Sequence, residues 1–179
     1  MSWLQSNSSK LSFAGAALAV IAFAASTRAE DAPGCKSLAW PLDPERAAFV
    51  SEKIESVGTG AARGPWKEQN FLLKLAPQES VGYAQPPGDR RPPKGKTFGG
   101  TVTFDAPAHA ERYYVTLSSE GWIDVVQHDT TLRSDAHTGA KECPGVRKSV
   151  RFPVGEFPTV LQVSGAPGDT IKIGIRPAR

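Results

Sequence analysis

From residue 71 to residue 176 the chain alternates between apolar and polar positions in short bursts. The runs are FLLKL (71–75), GTVTFD (100–105), RYYVTLS (112–118), WIDVVQH (122–128), KSVRF (148–152), TVLQVS (159–164) and TIKIGIR (170–176), with Pro, Gly, Asp and Ser between them. A period of two between such punctuation predicts strands. The alternation is cleanest at the end, where Ile171, Ile173 and Ile175 point one way and Lys172, Gly174 and Arg176 the other, as in a half-buried antiparallel sheet. Together with a single helical stretch upstream, these runs predict a mainly β domain: an antiparallel β-sandwich or jelly-roll of about seven strands with one N-terminal helix. If SSEG (118–121) closes a hairpin between RYYVTLS and WIDVVQH, residue 118 faces 122, and the pairs 116/124, 114/126 and 112/128 follow. Tyr113, Val115, Leu117, Ile123 and Val125 then face the core, and Arg112, Tyr114, Thr116, Trp122, Asp124 and His128 share the opposite face.

Upstream the period is 3.6. DPERAAFVSEKIES (43–56) reads as one helix, with Asp43 as its cap, Pro44 at the first helical position and Gly58 past its end. Ala47, Val50, Ile54 and Val57 fall on one face of it. Residues 58–69 are a loop by composition, so 30–70 form an N-terminal helix and loop, and 71–179 the sandwich, of one domain. QPPGDRRPPKGK (85–96) is too rich in Pro and Gly for a strand or helix and predicts an exposed loop. Its four basic residues are either simply solvated or in contact with an acidic polymer or lipid headgroup.

The first 29 residues read as a secretory signal peptide. A polar start carrying Lys10 precedes the apolar run LSFAGAALAVIAFAAS and a small-residue exit, with cleavage after Ala29 or, alternatively, after Ser26. The run is shorter than the ~20 residues a membrane-spanning helix needs, so no stable transmembrane segment is expected after cleavage. A periplasmic or secreted location follows. Residues 1–29 hold two basic residues (Lys10, Arg28) and no acidic one, so of 21 basic and 18 acidic residues in the full chain, 19 and 18 remain. That near-neutral balance gives no reason to expect nucleic acid as a partner. Cys35 and Cys143 both survive cleavage, and an even count in an oxidising compartment predicts that they pair.

Candidate chemistry concentrates in HDTTLRSDAHTGAKEC (128–143). Two histidines and a carboxylate, His128, Asp135 and His137, are the ligand types of a non-haem iron site, and a small metal-dependent, dioxygenase-like oxidoreductase is the alternative reading. The competing reading is a polar loop closed by the disulfide. There is no H-x-H with a downstream Glu, no C-x-x-C, no H-E-x-x-H, no G-x-S-x-G and no phosphate-binding glycine loop before a helix. A catalytic residue set is therefore not expected, nor a cofactor. The face carrying Arg112, Tyr114, Thr116, Trp122, Asp124 and His128 combines aromatic area with charged groups, a combination that stacks on and hydrogen-bonds to a sugar or peptide. A binding or accessory module follows, with a glycan, a peptide or an envelope protein as its partner.

Two resemblances bear on this. RYYVTLSSEGWIDVV, KSVRF, FPTVLQVSG and TIKIGIRP, over about residues 100–177, resemble the strand order of bacterial pre-peptidase C-terminal domains. That resemblance implies a non-catalytic, jelly-roll-like module that binds glycan or protein. CKSLAWPLD (35–43), GWIDVVQ (121–127) and CPGVRKSVRF (143–152) resemble small secreted bacterial proteins of unknown function, some of which carry a homogentisate 1,2-dioxygenase label. Members of that dioxygenase family are much larger and hold iron with a His, Glu, His set, which does not map onto His109, His128 and His137 here.

Overall fold

Among the described residues twelve strands form, in the order β1 (Glu55–Gly58), β2 (Ala61–Pro65), β3 (Gln69–Lys74), β4 (Ala76–Pro77), β5 (Phe98–Asp105), β6 (Glu111–Leu117), β7 (Trp122–Gln127), β8 (Thr130–Thr131), β9 (Ala136–Gly139), β10 (Lys148–Val154), β11 (Thr159–Ala166) and β12 (Thr170–Pro177). A short helix, α1 (Asp43–Phe49), precedes them. The computed structural model describes residues 33–51, 53–88 and 95–178; the signal segment read over residues 1–29 lies outside them. Asp31–Arg179 is one compact unit.

The strands build two six-strand sheets packed as a sandwich. The first runs β1-β3-β12-β6-β10-β9; the second runs β2-β5-β11-β7-β8, with β4 also pairing β5. All pairings are antiparallel except β1 with β3 and β2 with β5, so both sheets are mixed. This departs from the expected seven antiparallel strands. The additional ones are short, and ESVG and AARGP carry too few apolar residues for alternation to mark them. The stretch expected to be a loop at 58–69 instead carries the chain from the first sheet to the second and back.

The core is formed by the predicted inward positions. Tyr113, Val115, Leu117, Ile123 and Val125 are all buried in it, with Ile171, Ile173 and Ile175, and Phe71, Phe104, Leu161 and Val163 join them. Trp66 closes one part, edge-on to Phe104 and to Tyr113. Correct facing did not require the expected hairpin. β6 lies in the first sheet and β7 in the second, so SSEG arches across the sandwich, and the pairs 116/124, 114/126 and 112/128 do not form. β6 pairs β10 and β12; β7 pairs β11.

The helix is shorter than its period suggested. It ends at Phe49 and buries Glu45 and Phe49, whereas Val50 is 76% exposed. Ala47 is exposed too, and Val57 is buried as a strand residue instead. Asp43 does not cap; its carboxylate accepts from Arg46 Nη1 at 3.2 Å, and the cap position is Leu42 without a side-chain bond. Pro44 and the acids Asp43 and Glu45 in the first turn favour the start, where the unpaired N–H groups attract negative charge.

The helix and the segment before it cover the outer face of the first sheet, which the alternation of 170–176 had suggested was open. Arg176 Nε donates to Glu45 Oε1 at 2.9 Å, and Lys172 Nζ donates to the Phe49 carbonyl. Gly174 makes this approach possible: a Cβ there would lie 2.8 Å from Asn70 Oδ1 and 2.9 Å from Glu45 Cγ. Leu42, Phe49, Ala140, Cys143 and Val146 form a second, smaller apolar cluster, and the Cys35–Cys143 disulfide ties the segment into it. That disulfide suggests an oxidising, extracytoplasmic location, and no helix among the described residues is long and apolar enough to cross a membrane.

Candidate functional site

Of the six residues expected on one binding face, Arg112, Tyr114 and Thr116 lie on the first sheet and Trp122 and Asp124 on the second, because their strands belong to different sheets. On the first sheet, Tyr114 is covered: Trp40 stacks on its ring with centroids 4.6 Å apart, and the Arg176 guanidinium lies 5.1 Å from its centroid. Thr116 is fully buried and donates to Ser149 Oγ at 2.9 Å, while Trp40 Nε1 donates to the same oxygen at 3.3 Å. Arg112 is exposed and donates from Nε to Asp135 Oδ2 at 2.7 Å.

On the second sheet Trp122 and Asp124 are neighbours. Trp122 Nε1 donates to Asp124 Oδ1 at 2.9 Å, and the Gly88 N–H donates to Oδ2 at 2.9 Å. Gly88 ends a strap that lies over this face. The Gln85 N–H donates to Gln162 Oε1 and Gln162 Nε2 returns a bond to the Gln85 carbonyl, each at 3.0 Å. Tyr83 Oη donates to the Val163 carbonyl at 3.3 Å; burial, and then the charge of Asp124, push its phenol up to about 12. The first part of the expected exposed loop at 85–96 is thus pinned to the sheet, and residues 89–94 lie outside the described ones.

His128 points elsewhere again. With Asp129 it forms the two-residue turn between β7 and β8, both at positive φ (49° and 53°), the geometry that matches strand twist in tight hairpins. Its ring lies against Phe157, centroids 4.0 Å apart. His137 is on β9, opposite Val150. Asp135 accepts from Arg151 Nε and Arg112 Nε, both at 2.7 Å. Among the described residues no three His, Cys, Asp or Glu side chains gather where a metal ion fits. His128, Asp135 and His137 do not converge.

The Asp135 bridge has a pH signature. Hydrogen bonds from Arg151 and then Arg112 hold its carboxyl below the usual value. A depressed folded pKa means the stabilisation is complete above the ordinary carboxylate range and is lost as pH falls through the folded value. Asp135→Asn is therefore expected to unfold at lower urea than the parent at neutral pH, with the gap closing below about pH 4. Urea midpoints across pH check it; a gap independent of pH would exclude the bridge as its source.

Among the described residues a cleft lies at one edge of the sandwich. β8 pairs only Val126 and Gln127 of β7, so Trp122–Asp124 have no strand beside them on that side among the described residues. After β8 the chain crosses to the first sheet and becomes β9, beside β10. Between this free edge and the β9–β10 pair opens a cleft of about 750 Å³. Ile123, Leu132, Val150 and Phe152 give it apolar walls, and Trp122 and Asp124 line it. Arg133, Ser134, His137, Arg147 and Lys148 give it polar ones. Arg147 pairs with Glu120 at 2.6 Å, and Lys148 Nζ lies 5.1 Å from the Trp122 ring centroid. Of the expected site residues, the structure thus brings Trp122, Asp124 and His137 to one cleft.

Sequence reasoning missed Leu132, Val150, Phe152, Arg133 and Arg147. Leu132 carried a signal, a large apolar residue alone in the polar stretch DTTLRSDAHTG. It packs against the core while the Leu132 N–H donates to the Val125 carbonyl at 2.7 Å. Comparison with protein-family models, with curated proteins and with solved structures returns no match.

Proposed function

We propose that this chain is a periplasmic or secreted binding module that holds a small ligand in the cleft between its sheets. The observation that carries the reading is the cleft itself: about 750 Å³, lined by Ile123, Leu132, Val150 and Phe152 together with charged and polar groups. Pockets of roughly 300–1,000 Å³ with this division of surface are the usual seats of small ligands. The two outer faces are less available. The N-terminal segment lies over Tyr114 and Thr116, and the strap at 83–88 lies over Gln162 and Asp124. The disulfide supports the location, and the resemblance to pre-peptidase C-terminal domains supports a module that binds.

Trp122 then acts as a wall. Its N–H is already given to Asp124, and Lys148 lies over its ring, so sugar stacking on an open indole is not the mode of recognition. The test is a panel of saccharides, short peptides, fatty acids and aromatic acids added to ¹⁵N-labelled protein, reading the Trp122 indole N–H and the amides of Leu132, Val150 and Phe152. Shifts are expected to cluster there and to vanish in Val150→Trp, which fills the cleft, and in Ser134→Trp at its edge. Shifts scattered over other surfaces, or unchanged by both variants, would move the site elsewhere.

A further inference from the structure

Among the described residues that line the cleft, cations outnumber carboxylates. Arg133, Arg147 and Lys148 line it against one carboxylate, Asp124. Asp124 is buried, 5% exposed, and both its oxygens already accept bonds, from Trp122 Nε1 and the Gly88 N–H. It is spent within the protein and offers a ligand cation little. Arg147 shares Glu120, a residue 61% exposed in its side chain, so its charge is only partly offset in water. Arg133 has no ion-pair partner among the described residues and is exposed, as is its neighbour Ser134. Leu132, Val150 and Phe152, less exposed than Arg133, also line the cleft, and their side chains offer neither donor nor acceptor.

We infer that the ligand class is an anionic amphiphile: an apolar chain or ring seated against Leu132, Val150 and Phe152, with a carboxylate, sulfate or phosphate head at the cationic margin. The inference rests on the binding reading above and adds the chemistry of the ligand to it. An apolar body gains from leaving water, and a planar guanidinium accepts an oxyanion with two parallel hydrogen bonds. A neutral sugar would leave the apolar wall and the charge of Arg133 unmatched. A cationic ligand would meet repulsion on entry.

Calorimetry with decanoate, 1-decanol and maltose separates the possibilities. Decanoate is expected to bind about tenfold or more tighter than decanol, the worth of one charge-assisted contact, and its advantage should shrink with added salt. Arg133→Gln with Arg147→Gln should bring the decanoate-to-decanol ratio to about one. Near-UV circular dichroism checks that the double variant is folded; Arg133→Gln alone, an exposed change, gives a second reading of the same ratio. Equal binding of decanoate and decanol, or binding of maltose without decanoate, would overturn the anionic class and leave the cleft as a binding site. Binding of none of the three overturns the amphiphile; the ¹⁵N panel then tells whether the cleft reading falls with it.

Discussion

Replacing both cysteines, Cys35→Ser with Cys143→Ser, is expected to lower the unfolding free energy by about 4 kcal/mol, a large part of the roughly 5–15 kcal/mol of a typical domain. The bridge spans a sequence separation of 108. A cross-link of that reach removes much of the conformational freedom of the unfolded chain, and the loop-entropy relation puts a loop of about 100 residues near 4.7 kcal/mol. A second contribution is local. Cys143 is a buried member of the small cluster with Leu42, Phe49, Ala140 and Val146, and Cys35 packs against it. Backbone already approaches closely there, since a Cβ on Gly34 would lie 2.5 Å from the Glu142 carbonyl carbon. Urea unfolding of the oxidised parent, the reduced parent and the double variant measures the total. The Trp40 stack on Tyr114 reports on the segment alone. If Trp40 emission shifts at lower urea than the loss of β circular dichroism, the segment undocks before the sandwich opens. A loss under about 1 kcal/mol would mean that the cluster and Glu45 secure the segment without the bridge.

The disulfide was legible because compartment and an even count suffice to predict it. So were the strands whose apolar positions alternate, and even their facing, since Tyr113, Val115 and Leu117 point inward whichever sheet β6 joins. Pairing was not legible. SSEG has turn composition whether it closes a hairpin within one sheet or arches between two, and alternation reads the same in both. That one ambiguity set Tyr114 and Trp122 on a common face on paper and on opposite outer faces in the fold. Burial of β6 on both sides comes from residues far away in sequence: Trp40 and Arg176 over Tyr114, Ser149 beside Thr116. The cleft is harder still to foresee. It exists because β8 is two residues long and leaves Trp122–Asp124 without a neighbour, a property of what does not pair. The helix ended early for a similar reason, since its period continued through Ile54 while Val57 was needed in the parallel pairing of β1 with β3.

Arg176→Met is expected to cost about 3 kcal/mol or more, whereas the double change Glu45→Leu with Arg176→Met should return to within roughly 1 kcal/mol of the parent. Glu45 is 2% exposed. One of its oxygens accepts from Arg176 Nε, and the other has no hydrogen-bond partner among the described residues. A carboxylate so placed depends on its cation, and removing the cation leaves a buried charge uncompensated. Removing both replaces two desolvated ions by apolar volume beside Phe49, where the cost of burial disappears along with the attraction. Arg176 also donates to the Pro41 carbonyl at 3.2 Å and lies over Tyr114. Arg176→Lys therefore serves as the control, since it keeps a cation near Glu45 while losing the planar overlap. Urea unfolding of the parent, both single variants and the double closes the cycle. A single-variant loss below about 1 kcal/mol, or strict additivity of the two changes, would show that Glu45 does not rely on Arg176. The expected non-additivity instead means that an ion pair fixes where α1 lies on the first sheet. With that face occupied by the chain itself, Tyr114 and Thr116 are covered, and the binding proposed above falls to the cleft.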